Sequence, residues 1–231
     1  TFRAVIDEQT KATQITVNSG GVAIATPSGL VQADKVVLAC NGYLDNLYPP
    51  IASHIMPINN FIVATERLSD DMAARINPLD ASLSDSLFVI NYWKLSADRR
   101  LIFGGGETYS DQFPTNIKDF VRPQLLRIYP ELADTRLDFG WGGTLAITRN
   151  RMPDIGVKQG AIYYAQGFSG HGVPTATMAG KLIALAMTKG SEEFDLMQNL
   201  KTLKFPGGRW LRRPSLVAGM LFYSLLDKFG R

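Results

Sequence analysis

The feature that most constrains the fold is a short apolar run that leads into glycines and then into a helical pattern. Ala161-Ile162-Tyr163-Tyr164-Ala165 reads as a strand. Gln166-Gly167-Phe168-Ser169-Gly170-His171-Gly172-Val173-Pro174 follows, and Thr175 to Met187 carries small and apolar residues at helical spacing. Glycines at such a junction let the backbone bend sharply and let a ligand approach closely. The start of the helix then presents unpaired N–H groups and the positive end of a dipole, which suits a negatively charged ligand atom. The same pattern also serves as a plain tight connection in α/β domains, and a lone glycine pattern does not separate the two readings. Ala176, Ala179 and Gly180 suit close helix packing under both.

Around this segment the 231 residues, 45% of them hydrophobic, can bury a substantial core, as one large domain or as two interleaved lobes. From Ile15 to Leu38 apolar and polar residues alternate around turns at Asn18-Ser19-Gly20-Gly21 and Pro27-Ser28-Gly29, the pattern of a small antiparallel meander. It ends in Val36-Val37-Leu38-Ala39, which reads as a strand buried on both faces. Between Ile55 and Phe139 strand-like runs at Ile58 to Thr65, Ser86 to Tyr92 and Arg100 to Phe103 are interrupted by helical stretches at Ser69 to Ile76 and Ile117 to Tyr129. That mixture reads as a distinct α+β lobe. Gly140 to Lys189 holds a strand, the glycine turn and its helix. Arg209 to Phe229 reads as a helix opened by Pro214 and stopped at Gly230.

Composition excludes several functions. The net charge of +3 is spread through the chain, with no Lys/Arg stripe outside the extreme C-terminus, which argues against nucleic-acid binding. Cys40 is the sole cysteine, so no intramolecular disulfide framework and no multi-cysteine metal site can form, and no metal is expected. No apolar run reaches the roughly 20 residues of a spanning helix, and no signal segment opens the chain, which begins at Thr1. A soluble, cytoplasmic protein is the expectation.

Four segments taken in order resemble one family. They are Ala33-Asp34-Lys35-Val36-Val37-Leu38-Ala39-Cys40-Asn41-Gly42-Tyr43, Leu101-Ile102-Phe103-Gly104-Gly105-Gly106, Thr148-Arg149-Asn150-Arg151-Met152-Pro153-Asp154-Ile155-Gly156, and Gly167 to Val173. From about Asp34 onward the chain is similar to the C-terminal half of the D-amino-acid oxidase-like FAD-dependent oxidoreductases, and within them to the gamma-glutamylputrescine oxidoreductase branch. The fold this implies is α+β and α/β. Residues 1–54 and 140–190 would form a partial, discontinuous FAD-binding lobe, 55–139 a substrate lobe on a mixed or antiparallel sheet, and 191–231 a tail with a helix.

The resemblance also implies site residues. Ala39, Asn41 and Gly42 would pass near the dinucleotide, with Gly42 leaving room for it, although a plain buried strand and turn is the bland reading. Gly167, Phe168, Ser169, Gly170, His171, Gly172 and Val173 would lie by the flavin's pyrimidine edge, where the helix end favours negative charge arising on reduction. Trp141 and Gly143 complete the expected cofactor set. His171 is the one catalytic candidate, because imidazole titrates near neutrality; contact with the cofactor through its backbone is preferred to a general-base role. His54, before an apolar strand, is read as structural. Flavin oxidation of an amine needs the substrate positioned and water excluded rather than a triad, so Tyr92 and Arg149 are the substrate candidates. Arg149 and Arg151 would suit a substrate carboxylate, with a surface ion pair the preferred reading for each. Trp93, Trp141 and Phe168 suit an aromatic pocket or the core, and Glu107 follows the triple glycine without a firm role. Cys40 lies outside the segment that relatives use for covalent attachment, so FAD is expected to bind noncovalently, with Cys40 a buried inert thiol.

One departure matters. No Gly-x-Gly-x-x-Gly follows a strand near the start, and no acidic residue follows at the spacing that binds ribose. The chain is therefore expected to need an N-terminal half, as part of a longer polypeptide or as one half of a split enzyme. Two functions remain open: oxidation of a small amine or amino acid to an imine that hydrolyses to a carbonyl product and ammonia, or a noncatalytic binding module without flavin. The basic flanks of the C-terminal helix allow contact with a membrane surface, but packing against the enzyme is preferred.

Overall fold

The computed structural model describes residues 4–87, 89–108 and 112–206, together with 214, 217 and 218. The helix expected over Arg209 to Phe229 lies outside the described residues, apart from those isolated positions. The described chain divides into two compact units at 57/58 and 144/145, with the second unit inserted in the sequence of the first.

The first unit opens with β1 (Gln14–Asn18), β2 (Gly21–Thr26) and β3 (Gly29–Ala33), an antiparallel three-stranded meander whose turns fall where the Asn-Ser-Gly-Gly and Pro-Ser-Gly signals stand. β4 (Val36–Leu38) follows, then a 3-10 turn at Asn41–Tyr43 and the short α1 (Pro49–Ala52). Later the chain returns as β10 (Asp154–Lys158), β11 (Ile162–Gln166), α4 (Gly172–Thr188) and α5 (Glu192–Asn199), introduced below in chain order.

The second unit is built on β5 (Met56–Thr65), which begins just before the boundary, then α2 (Asp70–Ile76), β6 (Leu83–Ser84), β7 (Tyr92–Leu95), β8 (Leu101–Thr108), α3 (Ile117–Ile128) and β9 (Leu137–Ile147), whose last residues pass into the first unit. Its sheet has the order β6-β7-β8-β5-β9. Phe61, Val63, Leu101 and Phe103 on the strands and Val121 and Leu125 on α3 are fully buried and form its core. Both helices start where their caps dictate. The Ser69 side chain accepts from the Met72 N–H, and the Asn116 side chain from the Lys118 and Asp119 N–H groups.

Two of the strands expected in this unit differ from the sequence reading. Among the described residues the run Ser86 to Tyr92 is not a strand before Tyr92: Asp85 accepts from the Leu87 and Asn91 N–H groups and the Asn91 amide, and this side-chain network replaces a ladder. The strand expected to end at Phe103 continues through the triple glycine to Thr108. Gly104 is tolerated there because the Tyr92 ring from β7 covers it; a Cβ would stand 2.2 Å from that ring.

The ring of Phe103 stacks on Trp93 with centroids 5.8 Å apart, and Phe103 has no exposed surface. Phe103→Ala is expected to lower unfolding free energy by about 3–5 kcal/mol, read from the shift of a urea midpoint at constant slope.

Candidate functional site

In the first unit β10, β11 and β4 make one sheet, with β11 antiparallel to β10 and parallel to β4. Alternation along β11 sends Ile162 and Tyr164 into a core with Val22, Leu38, Tyr48 and Ile51, and Tyr163 and Ala165 into another with Ala179, Ile183 and Phe194. β11 is thus buried on both faces, as its unbroken apolar run requires. β4 was expected to be buried likewise. Among the described residues it is a three-residue edge strand instead, and Val37 is 43% exposed because only Leu38 turns fully inward.

The parallel pairing delivers two chain segments to one edge. β4 leads into Asn41 (φ 47°), and β11 leads into Gly167 (φ 72°). The Gly167 N–H donates to the Asn41 side-chain oxygen at 3.0 Å, tying the two together. Ser169 (φ 53°) and Gly170 (φ 95°) are also left-handed, and His171 is the N-cap of α4. A non-glycine residue at positive φ persists only where its surroundings hold it. Ser169 is held four ways: its N–H donates to the Ala146 carbonyl at 3.0 Å, its hydroxyl donates to the Gly167 carbonyl at 3.2 Å, accepts from the Thr148 N–H at 3.3 Å, and lies 3.4 Å from the Thr148 hydroxyl.

What this builds is a rigid turn in front of an open helix end. No side chain caps α4, and no acidic residue stands in its first turn. Gly170, His171 and Val173 are exposed, while Phe168 and Gly172 are half-buried. Along 17 residues of α4, Lys181 is the sole charged side chain, so the positive end of the helix dipole is unopposed at its start. His171 takes part through its backbone: its N–H donates to the Phe168 carbonyl at 2.9 Å, and its carbonyl accepts from the Thr175 N–H and hydroxyl. Its ring is exposed.

The structure brings together Asn41, Gly167, Ser169 and the start of α4. Gly42 is buried beside Asn41, and Ala39 is exposed at the end of β4. Trp141 and Gly143 lie on β9, and Tyr92 on β7, in the other unit. The Tyr92 hydroxyl donates to the Asn60 side chain at 2.6 Å, and burial together with the Glu107 carboxylate pushes the phenol above its ordinary value. Arg149 is exposed and donates to the Lys204 carbonyl. Cys40 is half-buried rather than buried, and desolvation raises its thiol. Among the described residues no group of three or more His, Cys, Asp or Glu could hold a metal, and no helix is long and apolar enough to cross a membrane.

Sequence reasoning missed a polar cluster behind the turn. Asp154, 5% exposed, accepts from His54 Nδ1 at 2.9 Å, from Gln166 Nε2 at 2.9 Å and from the Tyr164 hydroxyl at 3.4 Å. Burial first, and then the Asp154 charge, hold the Tyr164 phenol well above its ordinary range. It missed α5 as well, although Ser191 before Glu192 and Glu193 is a helix-start signal, and the Ser191 hydroxyl does accept from the Phe194 N–H.

Two outcomes follow for stability. Gly167→Ala adds a Cβ 2.3 Å from Thr148 Cγ2 at a left-handed position, whereas a Cβ on Gly170 meets nothing within 4 Å. Gly170→Ala is expected to cost about 1–2 kcal/mol from backbone strain alone, and Gly167→Ala a further ~1–3 kcal/mol from overpacking; equal losses in urea melts would refute the contact. A phenol raised in the fold contributes stability below about pH 10, its unfolded value, and loses it as pH rises through the folded value. Wild type should therefore lose stability above about pH 10 more steeply than Tyr164→Phe, whose parallel decline would remove Tyr164 as the cause.

Comparison with known proteins supplies the family. The family described as "DAO: FAD dependent oxidoreductase" matches residues 3–186. The gamma-glutamylputrescine oxidoreductase of Escherichia coli (strain K12) is 39% identical over 96% of this chain and 52% of its own length. A "Probable oxidoreductase OrdL" of Rhizobium meliloti (strain 1021) is 42% identical over 96% and 51%. This chain therefore spans about half the length of these relatives. In fold it is similar to a glycine oxidase from Geobacillus kaustophilus, with a TM-score of 0.65 at 18% identity over 81% of this chain and 50% of that one. An L-proline dehydrogenase from P. horikoshii gives 0.63 at 24% identity over 81% and 51%. With the match spanning most of its length, the chain belongs to the DAO family of FAD-dependent oxidoreductases.

Proposed function

We propose that this chain supplies the flavin-ring side of an enzyme that oxidises the CH–NH bond of a small amine or amino acid, in the manner of gamma-glutamylputrescine oxidation. The imine formed would be hydrolysed to a carbonyl product and ammonia. The observation that carries this reading is the uncapped start of α4 behind the rigid left-handed turn Gly167–Gly170. The residues present fit FAD, the family's cofactor: open space lies where a Cβ on Gly170 would stand, and Gly172 and Val173 open a helix with neither a cap nor an acid in its first turn. When bound, FAD would take up one hydride equivalent, that is two electrons and a proton, from the substrate's C–H bond, while the amine nitrogen gives up its proton to leave the imine. What the chain's own residues contribute is placement. Asn41 and Gly167 fix the edge, Ser169 fixes the turn, and the helix end favours negative charge in front of it.

The substrate class rests on the name of the E. coli relative and its 39% identity. In the same reading the first unit is the FAD-binding lobe and the second the substrate lobe, with Tyr92 as a substrate contact and Arg149 as a weaker one. The grip on the FAD pyrophosphate would come from the half of the relatives' length that this chain does not span. Binding would be noncovalent, since Cys40 stands in the turn after β4 and outside the segment that relatives use for covalent attachment, and the cytoplasm is the compartment we assign.

Titration of the purified full-length polypeptide with FAD tests the reading. Saturable binding with flavin absorbance is expected, together with bleaching on anaerobic addition of an amine substrate. Protein that stays colourless with added FAD would be a binding module without flavin chemistry. In the same protein His171→Ala, which removes the ring and keeps the backbone, is expected to weaken FAD binding or shift its reduction potential; unchanged affinity, spectrum and turnover would take the His171 ring out of the site and leave only its backbone there.

A further inference from the structure

The cluster behind the turn is more than a satisfied buried charge. Asp154 and Gln166 face each other as register partners on β10 and β11. Gln166 is 2% exposed and is the residue directly before Gly167. Its amide nitrogen donates twice, to the Ile51 carbonyl and to Asp154 Oδ2, both at 2.9 Å. Those two acceptors fix the orientation of the amide, because the reverse would set its oxygen against a carbonyl and a carboxylate. The orientation is kept even though it leaves Oε1 buried without a partner among the described residues, an arrangement that structures rarely tolerate. Asp154 Oδ2 also receives His54 Nδ1, and Oδ1 receives the Tyr164 hydroxyl, so one carboxylate gathers three donors that come from the link between α1 and β5, from mid-β11 and from the last residue of β11.

Resting on the reading that the turn serves FAD, we infer that Asp154 is a positioning residue for the cofactor: it clamps Gln166 and thereby sets where Gly167 leaves the sheet. The mechanical link is short. Gln166 is held from behind by Asp154 and Ile51, and the very next N–H, that of Gly167, reaches across to Asn41 on the neighbouring strand end. A shift of Gln166 therefore moves both segments that make the cofactor edge. Neither Asp154 nor Gln166 needs to touch FAD to control it. An amide at position 154 can still offer one oxygen to both His54 and Gln166 while its nitrogen turns toward the Tyr164 oxygen, so the clamp depends on an acceptor at that point rather than on charge.

FAD affinity of the full-length protein, measured by flavin fluorescence quenching beside a thermal melt, tests this. Asp154→Ala is expected to raise the FAD Kd at least tenfold, while Asp154→Asn stays within threefold of wild type. At saturating FAD the amine KM should be unchanged in both, since the defect lies in cofactor placement. Asp154→Ala binding FAD as wild type does overturns the inference, and so does an Asp154→Asn as weak as the alanine variant. Should Asp154→Ala fail to fold, Gln166→Leu, which leaves the His54–Asp154 pair in place, must show the same tenfold loss of affinity with a melt above the assay temperature; wild-type affinity in that variant overturns it. Wild-type protein that binds no FAD defeats the functional reading itself, and that result is distinguishable from either variant's.

Discussion

The parallel pairing of β11 with β4 is the interaction on which the site depends. It joins Val36–Leu38 to Ile162–Tyr164, so two strands far apart in sequence point the same way and leave the sheet at the same edge. In sheets with parallel strands that edge is where ligands gather, because each strand end releases a loop there and helices begin there. Here the two loops are Asn41-Gly42 and Gly167–Gly170, joined by the hydrogen bond from the Gly167 N–H to the Asn41 side chain. An antiparallel arrangement would send them to opposite ends.

β11 can play this part because it is insulated on both sides. The face with Ile162 and Tyr164 is sealed by the meander and α1, and the face with Tyr163 and Ala165 by α4 and α5. Within that apolar setting the polar groups at its end are few and are almost all paired. A buried carboxylate meeting three donors is the arrangement expected where desolvation is expensive and every lone pair has to be used.

Much of this was legible in the sequence where a local signal exists. The meander turns, the apolar run of β11 and the glycine turn each rest on residues close in the chain, and each appears where its signal stands. Failures came where a distant partner decides. Gly104, Gly105 and Gly106 look like a break until the Tyr92 ring is placed over the first of them. Val37 looks like a core residue until β4 is known to pair on one side only among the described residues. His54 and Asp154 are 100 positions apart, and no periodicity in either neighbourhood foretells the other. The family was readable because its motifs are several and ordered, whereas the roles of single residues such as Arg149 depend on geometry that no motif carries.

The insertion of one unit within the sequence of the other has a kinetic consequence. Residues Ile58–Thr144 form a continuous stretch with its own core, so its contacts can form without waiting for the chain ends. The β4–β11 pair, by contrast, closes a loop that contains this whole unit. Loop closure over so long a flexible stretch is entropically costly, and contacts of that span form late. Once the inserted unit has folded, however, β5 and β9, which lead into and out of it, are neighbours in one sheet. The long loop is then shortened before β11 has to find β4, so the edge that joins Asn41 to Gly167 is expected to close after the inserted unit has folded.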